Sequence, residues 1–289
     1  MPIEDIEISA QIDTRSNPYD WNTVASKLTF LGGNAVVKAS HELLHKMKVI
    51  AGQVLRTDPE NLLHANGEIY HPHNPNRRLS YKDIALGYMY PDGSGIGGPL
   101  IASGSVVADG LTNLHPETGQ GNPAAVWTFG AHAVEIEVDV ETGSVTVLKV
   151  ASAFDVGQVI NEKLIYGQIC GGVLQGLGSA LLEGYKFNKD EKLMNPSFTD
   201  NKIPTMKDMP VEIVPIYIEN PQHNGPLGAR GVGEHPMISV PSAIGNAVYD
   251  ALGINFHVLP LSPEAIVLGI QSGKKSILCT DVDCLPGRL

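Results

Sequence analysis

The sequence predicts an α+β chain of antiparallel sheets with packed helices, and three observations carry that assignment. Residues 131–140 and 144–156 alternate apolar and polar positions on either side of Glu141-Thr142-Gly143, an antiparallel hairpin with Val134, Ile136, Val138 and Val140 on one face. Residues 34–55 repeat Val36, Ala39, Leu43, Met47, Ile50 and Val54 at three- and four-residue steps, the period of a one-sided helix. Residues 163–185 do the same through Ile165, Ile169, Val173, Leu177 and Leu181. Two lobes dividing near residue 125 are expected within a domain covering 1–270.

The other elements follow in order. Residues 3–12 alternate as a strand does, 13–22 are rich in turn formers, and 23–33 read as a loop and short strand. After the first helix, Asp58 and Pro59 mark the start of a short helix over 59–63. Asn66-Gly67 predicts a turn joining 62–65 to 68–71, and Ser80 with Asp83 forms a capping-box pattern before 84–86. Residues 90–123 are punctuated by glycine and proline, a length of loop more often functional or partner-contacting than accidental. Residues 195–210 are expected to be extended, 211–219 a strand and 222–234 a glycine-dense loop. A helix over 239–252 has Pro241 in its first turn and Gly253 closing it; Ser262-Pro263 starts a last helix to 270, and 271–289 reads as a tail.

Composition narrows the function classes. The 289 residues are 43% apolar, and 31 acids against 20 bases give a net charge of -11, which repels phosphate backbones and anionic lipid. Neither nucleic acid nor membrane is an expected partner. No apolar run reaches the roughly 20 residues of a bilayer span, and acids at Glu4, Asp5 and Glu7 do not fit a signal peptide. Cys170, Cys279 and Cys284 are too few for a disulfide framework, so a cytoplasmic location is expected.

Two motif matches point elsewhere. His41-Glu42-Leu43-Leu44-His45 fits the H-E-x-x-H zinc-hydrolase helix. At 100° per residue, however, both histidines fall away from the apolar stripe that centres on Leu43, Met47 and Val54, so solvated histidines are expected there. A zinc hydrolase built on His41, Glu42 and His45 would bind stoichiometric zinc. Residues 93–98 (GSGIGG) satisfy the G-x-G-x-x-G dinucleotide pattern, but Tyr90-Pro91-Asp92 before it and Pro99 after it remove the strand-turn-helix context, leaving a loop.

Two segments carry the candidate chemistry. Gly167, Gly171, Gly172, Gly176 and Gly178 lie in one helix, where each costs roughly 0.8–1 kcal/mol relative to alanine. Either they open a groove in which Gln175 offers amide donors and an acceptor, or they permit close helix–helix packing. The second segment, GPLGARGVGEHP (225–236), delivers Glu234 ahead of a helix. The helix N-terminus would favour the charged base and partial burial would oppose it. A carboxylate that merely complements the helix dipole is the alternative.

In order along the chain, DTRSNPYDWNTVASKLTFLGGNAV, ETGSVTVLKV, FDVGQVIN, GQICGGVLQGLGSALLEG, NKIPTMKDMP, GPLGARGVGEHP, PSAIGNAVYDALG and LPLSPEAIV resemble the molybdopterin-binding subunit of the xanthine dehydrogenase and aldehyde oxidase family. The resemblance runs from about Ile8 to Ile270 and covers only the C-terminal part of such a subunit. It implies a molybdenum-cofactor-binding domain in a molybdenum hydroxylase, with the metal held through the pterin dithiolene and not by side chains. Glu234 matches the family's catalytic glutamate, which takes a proton so that a water-derived oxygen can attack an electron-poor carbon. Gln175 matches a cofactor-contacting glutamine, and Ala25 and Ser26 match a pair that holds the pterin. Gly176 falls in the same cofactor-binding set, while Gly231 and Gly233 would shape the turn that aims Glu234. The chain departs from the family pattern at Lys27, Glu162, Asn201 and at His235, where proline is common.

The resemblance further implies a molybdopterin-type molybdenum cofactor, an N-terminal molybdenum-half subunit, an iron–sulfur subunit, and a flavin subunit carrying FAD. The substrate would be a small N-heterocycle or aldehyde. A non-catalytic assembly module of an oxidoreductase complex is a further alternative, and its function would survive Glu234→Gln.

Overall fold

The structure, a computed structural model, describes residues 1, 3–10, 12–15 and 24–278. It divides into two compact units, Met1–Val24 with Leu28–Gly110, and Ala25–Lys27 with Leu111–Leu289. The chain thus changes unit at Gly110, compared with the sequence expectation near 125, and three residues of the early chain belong with the second unit.

The first unit is built on α1 (Leu28–Leu55); of the predicted stripe Met47 and Ile50 are buried, Ala39, Leu43 and Val54 are half-buried and Val36 is exposed, while Ala51 and Leu55 are buried beside it. The helix starts six residues earlier than expected and absorbs the short strand read at its head. Extending a formed helix adds one hydrogen bond per residue, whereas a lone strand gains none without a partner. The same reason applies to residues 3–12: Ile3–Asp5 form a 3-10 turn, and no strand among the described residues pairs with 6–10. Of the expected turn segment 13–22, residues 16–22 lie outside the described residues.

Asp58 caps a 3-10 turn over Pro59–Asn61 by accepting from the Glu60 N–H at 3.0 Å. Then β1 (Leu63–Ala65) and β2 (Glu68–His71) pair antiparallel across Asn66-Gly67, both at positive φ. A third strand, β3 (Asn74–Ser80), pairs antiparallel with β2 and escaped the sequence reading, because NPNRRLS carries no apolar alternation. The capping box at Ser80 and Asp83 is present and starts the single turn α2 (Tyr81–Ile84). Short strands β4 (Tyr88–Met89) and β5 (Gly95–Ile96) bracket the glycine-rich loop. Leu62, Ile69 and Ile84 close the core against α1. Alongside α1, the Lys46 and Lys38 ammonium groups donate to the carbonyls of Ile101 (2.7 Å) and Ser105 (3.2 Å).

In the second unit, β6 (Gly130–Val138) and β7 (Val145–Asp155) form the expected hairpin, paired from Gly130↔Phe154 to Val138↔Val145 with a register shift between Glu135 and Ile136. β8 (Glu212–Ile218) joins β7 in parallel, so the sheet is mixed and the all-antiparallel expectation is corrected. The reason is the connection: between β7 and β8 the chain crosses over through α3 (Glu162–Leu181), and such a crossover returns the next strand in the same direction. Asn161 caps α3 by accepting from the Leu164 N–H at 3.1 Å. Residues 195–210 contain turns and no strand, again short of the extended segment expected.

A single turn α4 (His235–Ile238) leads into α5 (Val240–Leu252), which Gly253 ends in the left-handed region at φ 68°. The core joins Val147, Val150 and Phe154 of β7 to Ile169, Val173 and Leu177 of α3 and to Val240, Ile244 and Val248 of α5. Although α3 is long and apolar enough to cross a membrane by length and composition, its apolar stripe lies in this core. β9 (Asn255–Phe256) precedes α6 (Pro263–Ser272), and β10 (Ser276–Ile277) pairs parallel with β9. The start of the expected tail is therefore structured, with Ile277 buried; Cys279 and Cys284 lie outside the described residues.

Candidate functional site

The glycine-dense loop after β8 is tied to the end of β7. Gln158 N–H donates to the Gly228 carbonyl (2.8 Å) and Arg230 N–H to the Val156 carbonyl (3.1 Å). Gly157, at φ 64°, lies against the loop so closely that a Cβ would overlap the Gly228 carbonyl oxygen. The Arg230 guanidinium stands 3.2 Å from the Asp155 carboxylate and donates to the Trp127 carbonyl at 3.0 Å. Both partners of this ion pair are nearly buried, with side chains 13% and 10% exposed. Removing one partner of such a pair strands the other charge, so Arg230→Met should lower unfolding stability by about 3 kcal/mol. Urea denaturation of the purified chain measures this, and an unchanged midpoint would remove the ion pair from the account.

Beyond Arg230 the loop meets the Ala25-Ser26 turn, some two hundred residues earlier. Ala25 (φ 57°) and Ser26 (φ 50°) both occupy the left-handed region, which non-glycine residues rarely enter. Gly231 lies so near that a Cβ would overlap the Ser26 carbonyl oxygen, and a Cβ at Gly233 would stand 2.9 Å from Ser26 Oγ. The Glu234 N–H donates to Ser26 Oγ at 2.9 Å. The fold thus gathers five of the sequence-assigned site residues: Ala25, Ser26, Gly231, Gly233 and Glu234. Glu234 immediately precedes α4 and is exposed, in place of the partial burial expected.

Gln175 is exposed on α3, which packs on α4 and α5. A Cβ at Gly172 would overlap Pro236, and one at Gly176 would overlap Val240 and crowd the Met237 carbonyl at 2.8 Å. Gly176, assigned above to the cofactor-binding set, therefore packs on α4 and α5 in its Cβ direction. Gly167 and Gly171 have no atom within 4 Å of a built Cβ and share the exposed face of α3 with Gln175. The close-packing reading holds at Gly172 and Gly176, while Gly167 and Gly171 lie on a bare face.

His235 was missed as a site residue; its signal was only the departure from proline after the glutamate. It is buried, and its ring stands edge-to-face on Phe154. The zinc-hydrolase pattern on α1 faces solvent: His41, Glu42 and His45 are exposed. A hydrogen bond and charge pairing with Lys46 hold the Glu42 carboxyl below the usual carboxylate range. Among the described residues no three metal-ligating side chains converge. The G-x-G-x-x-G segment covers the end of the turn after β4, the strand β5 and the two glycines that follow it, and no helix begins directly after it. A cavity of about 400 Å³ opens at the C-terminal end of α3, lined by Leu177, Leu181, Lys207 and Leu261 among others, and includes none of the assigned residues.

The model of the molybdopterin cofactor-binding domain matches residues 1–210. The chain belongs to that family. It is 31% identical over 271 residues to the nicotine 6-hydroxylase large subunit of Paenarthrobacter nicotinovorans, covering 92% of this chain and 32% of that one. Against the aldehyde oxidoreductase of Megalodesulfovibrio gigas it is 32% identical over 228 residues, covering 78% and 23%. The solved quinoline 2-oxidoreductase from Pseudomonas putida 86 superposes with a TM-score of 0.73 at 25% identity, covering 89% of this chain and 32% of that one. The chain therefore spans about a third or less of the length of these relatives. The corner described above suits the family's cofactor: the Gln175 amide and Ser26 hydroxyl are neutral hydrogen-bonding groups, and Gly167 and Gly171 leave the adjoining helix face bare.

Proposed function

We propose that this chain is the C-terminal molybdenum half of a molybdenum hydroxylase acting on an N-heterocycle or an aldehyde. The carrying observation is the convergence of the strained Ala25-Ser26 turn and the Gly231-to-Glu234 loop; Gln175 is exposed on α3, the helix that packs on α4 just after that loop. Gln175, Ala25 and Ser26 hold the pterin. When bound, the molybdenum cofactor supplies the two-electron oxidation that turns a C–H bond and water into C–OH. Glu234 is the general base: its carboxylate takes the proton of the oxygen nucleophile as the new C–O bond forms. Its own N–H, fixed on Ser26, ties the base to the turn that carries the cofactor contacts.

Iron–sulfur clusters and FAD on partner chains, alongside an N-terminal molybdenum-half subunit, would supply the acceptors for the two electrons of each oxidation. The substrate classes follow the relatives, which are a nicotine hydroxylase, a quinoline oxidoreductase and an aldehyde oxidoreductase. The test is co-expression with the three partner subunits followed by metal analysis. The assembled complex should carry molybdenum in step with this chain; a complex without molybdenum overturns the proposal.

A further inference from the structure

The residue next to the proposed base is a histidine that the mechanism above does not use. Glu234 is exposed, while His235, one position on, is 9% exposed. One side chain of the turn reaches outward and the next anchors it inward. The anchor is aromatic: the His235 ring stands on Phe154 with centroids 5.0 Å apart at 67°, and Phe154 stands on His132 at 5.2 Å and 73°. Phe154 is 1% exposed on the central strand β7. Opposite it in register is Gly130, where a Cβ would overlap the Phe154 ring, so this column requires glycine there. Its far end is fixed by a 2.8 Å hydrogen bond between His132 Nδ1 and Ser152 Oγ.

We propose that His235 is a positioning residue for Glu234: its neutral imidazole, locked at the end of the His132–Phe154–His235 ring column, fixes the direction of the adjoining carboxylate. This rests on the role given to Glu234 above.

Both His235 ring nitrogens are buried, and neither has a hydrogen-bond partner among the described residues. An imidazolium there would have two donors and no acceptor among the described residues, which favours the uncharged ring. Burial pushes its pKa down from the ordinary histidine value; Glu234 on its own turn pulls it up, and His132 on β6 pushes it further down. His132 is itself lowered by burial, with the Pro236 carbonyl opposing. α3 meets this turn through Gly172 and Gly176, which carry no charge. The ring is thus placed by packing against Phe154, and its action on Glu234 is to fix the backbone of the turn they share.

Two variants and one spectroscopic measurement test this. His235→Phe keeps an aromatic ring and removes ionisation; His235→Leu conserves the volume and removes the ring. In the assembled complex, His235→Phe should keep kcat within about threefold of the parent, whereas His235→Leu should lower it about tenfold or more with KM within about threefold and molybdenum content unchanged. In NMR titration of the 289-residue chain, the His235 C2–H signal, assigned by its loss in His235→Phe, should titrate below free imidazole.

Parental kcat in His235→Leu, or equal losses in both variants, overturns the positioning role. Titration at or above the free imidazole value overturns the neutral column. Full activity in Glu234→Gln would instead refute the base assignment, and the NMR result would still decide whether the column is neutral.

Discussion

Glu234→Gln should lower kcat/KM of the assembled enzyme by about 10²- to 10⁴-fold while leaving its molybdenum content at the parental level. The magnitude is that of a positioned general base, and the substitution removes only that. Glutamine matches glutamate in length and shape but cannot accept a proton at neutral pH. The local structure does not depend on the carboxylate, which makes no capping bond to α4. What holds the residue is its backbone N–H on Ser26 Oγ and the buried ring that follows it, and both survive the change. Steady-state kinetics with any accepted N-heterocycle or aldehyde, paired with metal analysis of the same preparation, gives the result. A variant with full molybdenum and near-parental turnover would show that the proton goes elsewhere. Loss of molybdenum alongside turnover would show that Glu234 is structural.

The elements legible in the sequence were those whose own residues carry the pattern. The hairpin of β6 and β7, the buried stripe of α1, the Ser80-Asp83 capping box and the Asn66-Gly67 turn all depend on contacts within a few residues or across one turn. The direction of β8 does not. It is set by α3 crossing between two strands that the sequence separates by more than fifty residues, and no pattern inside 211–219 records it. Residues 3–12 show the converse, an alternation with no partner strand among the described residues.

The site divides the same way. Ser26 and Glu234 lie 208 residues apart, so only family resemblance could pair them from sequence, and the 2.9 Å bond between them is a tertiary fact. Periodicity alone could not separate the two roles of the glycines in α3, because a missing side chain looks the same whether a neighbour or open space lies beside it. The structure separates Gly172 and Gly176, covered by α4 and α5, from Gly167 and Gly171, which are bare. The burial of His235 was equally hidden, since a histidine after an exposed glutamate carries no sign of which way its ring turns.

Gly231→Ala should be the most damaging single-methyl change at this corner. The added Cβ would overlap the Ser26 carbonyl oxygen, a backbone atom that cannot rotate aside. The loop is held from behind by Arg230, through its ion pair with Asp155 and its backbone bond to the Val156 carbonyl, so the strain falls on the Ala25-Ser26 turn. That turn already occupies an unfavourable backbone region at both residues and has little freedom to adjust. Overpacking of this kind costs about 1–3 kcal/mol, which thermal unfolding of the purified chain should register. Moving Ser26 away also breaks its bond to the Glu234 N–H and displaces base and cofactor contacts relative to each other, so turnover should fall about tenfold to a hundredfold in the assembled enzyme. Gly233→Ala is the internal comparison. Its Cβ would face the Ser26 hydroxyl at 2.9 Å, a group that can swing away at the cost of one hydrogen bond, so the loss should be smaller on both measurements. If the two alanine variants reversed that order, the contact between the loop and the Ser26 backbone would not be what places the base.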